Sequence, residues 1–215
     1  MRSFSLLVLL AGSWSIAQSL TVGVAGGGRL TDDVINSTTP ESKRYVVGPM
    51  IELGLPWNFG VEFDALYHPY RYQVSYGGGA AGITDTERAN SWEFPILLRY
   101  TIPVRRIRPF AEAGIAPRTI SGSINSSGYF LNSTGTISNF NGSGPTNWPA
   151  SVGVVVGGGV RFNVGRLSFS PEVRYTHWTT TPVIDGGNNG PTAYSNQEQF
   201  DILVGVGWMI HRSNR

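Results

Sequence analysis

Residues 152–178 read VGVVVGGGVRFNVGRLSFSPEVRYTHW, two runs of strict alternation joined across Gly165 and Arg166. On the first run Val152, Val154, Val156, Val160, Phe162 and Val164 share one face, and Gly153, Val155, Gly157, Gly159, Arg161 and Asn163 share the other. On the second run Leu167, Phe169, Pro171, Val173 and Tyr175 oppose Ser168, Ser170, Glu172, Arg174 and Thr176. Period-two alternation over this length predicts strands, and the Gly-containing junction predicts a hairpin. The polar face is mostly Gly and Ser around Arg161, Glu172 and Arg174, the composition of a crowded enclosed surface rather than one turned to bulk water. The expectation is therefore that the apolar face meets lipid while the other lines a barrel lumen. For this hairpin taken by itself, an antiparallel sheet with one wet face is the alternative.

The same alternation recurs along the chain and predicts further strands at residues 20–27, 45–55, 59–68, 92–102, 107–116 and 200–210, eight in all with the hairpin. Between them, residues 29–42, 74–90, 119–149 and 179–197 are polar and rich in turn formers, so they are expected to be long loops. The intervening connections are short. Long and short connections in alternation are the asymmetry of outer-membrane barrels, with tight periplasmic turns and long extracellular loops, and an even strand number places both termini on the periplasmic side. Oriented in this way, the outward aromatics sort into two girdles. Trp57, Phe59, Tyr100, Phe162, Phe169 and Trp208 fall low, and Tyr45, Tyr67, Trp92, Tyr175 and Phe200 fall high. A lipocalin-like soluble barrel would invert the pattern, with apolar residues inside and charges outside.

Residues 1–17 predict the compartment. Arg2 gives a positive start, residues 4–11 an apolar core, and Ser15-Ile16-Ala17 a small-x-small cleavage site, together a secretory signal peptide. Residues 18–215 are then expected to be one domain, an all-β eight-stranded antiparallel up-and-down transmembrane barrel. Charged residues are only 14% of the chain, below the ~25% usual for soluble domains. No run of ~20 apolar residues offers a membrane helix. With no cysteine in the sequence, closure and backbone hydrogen bonding have to hold the fold in an oxidising compartment. The net charge of +2 contains no basic run that would suggest nucleic acid; the densest basic group, Arg105, Arg106 and Arg108, reads as a periplasmic turn plus one lumen residue.

The inward faces gather a set of charges. Glu52, Glu62, Asp64, Glu93, Glu112, Glu172 and Asp201 face Arg99, Arg108, Arg118, Arg161 and Arg174. An eight-stranded barrel has a bore that side chains just fill, so these groups are expected to interlock as a structural network. A proton path, an ion pore or a carboxylate active site is the functional alternative. His68 and His177 are expected near the extracellular rim as packing residues, and three histidines on separate elements give no metal spacing. No cofactor, metal or catalytic set is predicted.

At residues 92–100, Trp-Glu-Phe-Pro-Ile-Leu-Leu-Arg-Tyr, the chain resembles the outer-membrane protein β-barrel family, the small OmpA-like and OmpX-like barrels of Gram-negative bacteria. Residues 60–67 and 108–114 look like two further strands of that family. The resemblance implies outer-membrane lipid, lipopolysaccharide and the barrel-insertion machinery as partners. The chain departs from the pattern in running past Trp208 and Ile210 to residues 211–215 rather than ending on an aromatic residue, and no peptidoglycan-binding domain follows the barrel. His211-Arg212-Ser213-Asn214 resembles the His-x-Ser-Asn element of the lipid A deacylases among such barrels, but it follows the last strand with no acid to orient the histidine. The expected function is non-enzymatic: a filled lumen, and long loops, above all residues 119–149 with Tyr129, Phe130, Phe140 and Trp148, serving surface binding of an extracellular ligand or envelope structure. A small pore or a lipid A-modifying enzyme is the alternative.

Overall fold

The computed structural model describes residues 19–35, 43–104, 107–180, 183–184 and 193–212. Among them eight strands form the main sheet. They are β1 (Ser19–Arg29), β2 (Tyr45–Gly54), β3 in two segments (Phe59–Asp64 and Leu66–Gly78), β4 in two segments (Ala81–Glu93 and Ile96–Thr101), β5 (Arg108–Leu131), β6 (Ile137–Val164), β7 (Leu167–Trp178) and β8 (Glu198–Arg212). Every neighbour is antiparallel, and β1 pairs with β2 on one side and β8 on the other, from Gly23↔Met50 to Gly23↔Gly207. The sheet is thus a closed ring, which leaves no edge of unpaired backbone groups to face hydrocarbon.

The alternation sets the two surfaces. Leu98, Val154 and Ile202 are 52%, 50% and 46% exposed on the outside, whereas Leu97, Val155 and Leu203, one residue away, are 0%, 1% and 0% exposed inside. The hairpin of residues 152–178 turns on Gly165, whose φ of 63° is the left-handed conformation a two-residue connection needs. Trp57 and Asn58 take φ values of 61° and 64° in the four-residue β2–β3 connection. The breaks in β3 and β4 have a proline cause. Pro49, Pro95 and Pro117 lie on three different strands in one band around Ala65 and Phe94, and each removes a ladder donor.

Two of the expected long loops are strands instead. Residues 74–90 and 119–149 belong to hairpins that continue β3 with β4 and β5 with β6 beyond the barrel, turning at residues 79–80 and 132–136. Four strands, β3 to β6, therefore leave the barrel as one sheet, paired in register as far as Gly78↔Ala81 and Leu131↔Ile137. Their polar sequence is strand sequence because each backbone is paired on both sides or at the hairpin. Next to the barrel the inner face is still buried at Val74, Glu87, Ala89 and Ile120, and only further out are both faces at least partly exposed. A second, three-stranded sheet of Val34–Ile35, Ala193–Ser195 and Val183–Ile184 forms from the first and last connections. Its Val34 packs with Tyr72 and Val74 on the inner face of the extension.

Candidate functional site

The lumen charges fall into two clusters. In the lower one, Arg99 of β4 reaches Glu112 of β5 (Nε to Oε2, 2.9 Å), Glu52 of β2 (3.0 Å), Glu62 of β3 (2.9 Å) and Glu172 of β7 (2.9 Å). Arg174 of β7 donates to Glu112 (2.9 Å), Asp64 (2.6 Å) and Glu62 (2.5 Å). Arg161 of β6 forks onto Glu52, one branch at 2.6 Å. Six strands thus contribute to one knot, and its partners lie as far apart in sequence as Glu62 and Arg174. Arg99 also lies 4.1 Å over the Phe110 ring. Planar guanidiniums with donors on three sides suit this task, since each can serve several carboxylates at once.

The upper cluster centres on Arg29. It bonds Asp33 (2.7 Å), Glu93 (3.0 Å) and Asp201 (2.9 Å), and Gln199 donates to Asp201 at 2.7 Å. His68 is fully buried between Asp33 (2.5 Å) and the Tyr45 carbonyl (2.8 Å). Arg118 bonds Ser151 (3.1 Å) and the Tyr70 hydroxyl (3.2 Å) and stacks 3.7 Å over Trp178. Among the described residues no ion pair joins the two clusters. Along the strands between them the inward positions are apolar: Leu66 separates Asp64 from His68, Leu97 separates Arg99 from Glu93, and Ala116 separates Glu112 from Arg118. These three are at most 2% exposed. Met50, Val46 and Ala25 join Leu66 and Leu203 in one apolar cluster.

Of the expected lumen residues, Glu52, Glu62, Asp64, Arg99, Glu112, Arg161, Glu172 and Arg174 meet in the lower cluster, and Glu93 and Asp201 in the upper. Arg108 corrects the expectation. It makes no ion pair among the described residues, stands opposite Arg161 in register, and lines a cavity of about 410 Å³ at the end of the barrel that carries the short turns. Parity points it inward and it does line that cavity with Glu52 and Arg161, but the Glu52 carboxylate is taken by the Arg161 fork and by Arg99. Arg29, assigned to a loop by its polar surroundings, is the residue the sequence reading missed. It continues the inward series Thr21, Gly23, Ala25, Gly27 by period two, so alternation alone identifies it. Asp33 carries no such signal, because it reaches the lumen from a connection.

Carboxylate oxygens of Glu62, Glu112 and Glu172 lie within 4.8 Å of one another, a spacing usable by a cation. Arg99 and Arg174 already bring positive charge among them, so the three read as part of the ion-pair knot. The side chain of His211, all of Ser213, residues 1–17 and Arg105 and Arg106 lie outside the described residues. On the exterior, Tyr45, Tyr67 and Trp92 stand side by side, with ring centroids 6.4 and 5.4 Å apart. Tyr175 meets Phe200 at 4.9 Å. Nearer the short turns, Phe59 meets Tyr100 at 5.1 Å, and Trp57, Phe162 and Trp208 are exposed.

A closed eight-stranded antiparallel barrel with an apolar exterior and a charged, packed interior has the fold of the small outer-membrane β-barrels. Among solved structures the chain is similar to the outer membrane protein OprG from Pseudomonas aeruginosa, at 15% identity and a TM-score of 0.53 over 91% of this chain and 97% of that one. It is similar also to Neisserial surface protein A, at 12% identity and a TM-score of 0.52 over 89% and 97%. The likeness is one of fold. No family model and no curated protein sequence matches the chain.

Proposed function

We propose that the protein is a non-enzymatic integral barrel of a Gram-negative outer membrane, exported by the signal peptide of residues 1–17 and inserted by the barrel-insertion machinery. Its lumen is closed by side chains, and its extracellular hairpins are the surface that meets ligands. The observation that carries this reading is the layered interior. Two charge knots are separated along the strands by apolar positions, and Arg99 and Arg174 tie one wall of the barrel to the other. An ion crossing the bore would have to leave water and displace paired charges in a channel that side chains already fill. Around this plug, the exposed apolar band between the aromatic girdles meets lipid.

The test is electrical. Purified protein reconstituted in planar lipid bilayers is expected to give no unitary conductance steps above those of protein-free membranes. Reproducible steps of one amplitude from the wild-type protein would overturn the closed-lumen reading and favour a small pore.

A further inference from the structure

The outward face of the four-stranded extension carries a charge arrangement that the fold by itself does not need. Arg71 of β3 stands directly opposite Arg88 of β4, and Arg88 directly opposite Ser123 of β5. All three are exposed. Neither arginine makes an ion pair or side-chain hydrogen bond among the described residues. Side chains directly opposite in an antiparallel pair have Cβ atoms about 4.5–5.5 Å apart, and like charges there destabilise a sheet. The rows to either side are amide and hydroxyl apart from Pro69: Asn90 and Ser121 beside Pro69 below, and Gln73, Thr86 and Asn125 above. Asn90 is held by the Tyr67 hydroxyl, which donates to its Oδ1 at 2.6 Å.

Height and direction say what stands opposite. Arg71 and Arg88 lie four residues beyond Tyr67 and Trp92 of the upper girdle on the same outward face. At about 3.3 Å per residue and a strand tilt of about 40°, that is roughly 10 Å above the girdle. The row looks sideways, away from the barrel mouth, into the layer occupied by the polar heads of neighbouring lipids. Resting on the outer-membrane reading proposed above, we infer that Arg71, Arg88 and Ser123 bind a phosphate group on the saccharide headgroup of an outer-leaflet glycolipid. Two adjacent guanidiniums offer forked donors to the phosphate oxygens, the Ser123 hydroxyl donates a further bond, and the flanking amides and hydroxyls match sugar hydroxyls. A bound anion offsets the repulsion between the two facing guanidiniums.

The test uses the full chain folded in detergent, immobilised, and challenged with purified lipopolysaccharide, with the same material after enzymatic dephosphorylation, and with dextran sulfate. The double variant Arg71→Gln/Arg88→Gln is expected to retain lipopolysaccharide roughly tenfold or more weakly than wild type, with a Tm equal to or above the wild-type value. Arg88→Glu, which gives Arg71 an opposite charge across the strands, keeps the barrel folded and loses the lipid to the same extent. Arg166→Gln, at the opposite end of the barrel, binds as wild type. Dephosphorylation weakens binding to wild type as much as the double substitution does. Retention by both arginine variants within about twofold of wild type, or indifference to dephosphorylation, would overturn the site. So would equal capture of dextran sulfate and lipopolysaccharide by wild type, which would mark a reader of soluble polyanions. Cell fractionation separates the two levels: wild-type protein absent from the outer membrane overturns the location and this site with it, whereas correct location with unchanged retention overturns the site alone.

Discussion

Arg174 and Arg108 are both inward by parity, yet they do different things. Arg174 is 3% exposed and holds Asp64, Glu62, Glu112 and Glu172, whereas Arg108 is half-buried in the lower cavity and makes no ion pair among the described residues. Truncating one partner of a buried ion pair strands the charges left behind, at a cost of about 3–5 kcal/mol. Arg174→Ala is therefore expected to lower unfolding stability in micelles by about that amount. Arg108→Ala is expected to stay within about 0.5 kcal/mol of wild type, as for an ordinary surface position. Urea titrations followed by tryptophan fluorescence measure both. Equal stability of Arg174→Ala and wild type would mean that the knot does not hold the barrel.

At the scale of elements, the sequence is legible where one face is greasy and silent where neither is. Residues 152–178 declare a hairpin because Val154, Val156 and Phe162 alternate with glycine and charge, and the strands, turn and Gly165 stand as that pattern implies. Residues 121–131 and 137–145 carry no hydrophobic period, since both of their faces are at least partly exposed, and period-two logic has nothing to detect. Their strand state comes from partners: Ser123 pairs with Pro145 and with Arg88, and Asn125 with Ser143 and Thr86. The same blindness hid Arg29, whose inward parity was legible but whose polar neighbours resembled a loop. The register offers a clean cut. Gly122 and Thr146 are direct cross-strand partners, so replacing residues 123–145 with Asn-Gly closes the hairpin on a favoured two-residue turn. The shortened chain is expected to insert and migrate on unheated gels as a folded barrel, but to lose binding of cell-surface ligands that the intact protein retains. If it binds every such ligand as the intact chain does, the hairpin is not a recognition element.

At the scale of the whole molecule, one alternation fixes two surfaces of opposite character, and the account stands or falls on which of them meets lipid. The sequence contains no cysteine, so single cysteines carrying nitroxide labels report without background. Leu98, Val154 and Ile202 sit on the apolar exterior of β4, β6 and β8, and Ser127 lies on the same outward side of β5 in the extension. In reconstituted bilayers, labels at positions 98, 154 and 202 are predicted to collide far more with dissolved oxygen than with a water-soluble nickel chelate, and the label at 127 is predicted to do the reverse. Collisions dominated by nickel at 98, 154 and 202 would place water against the apolar band and contradict a membrane-spanning barrel.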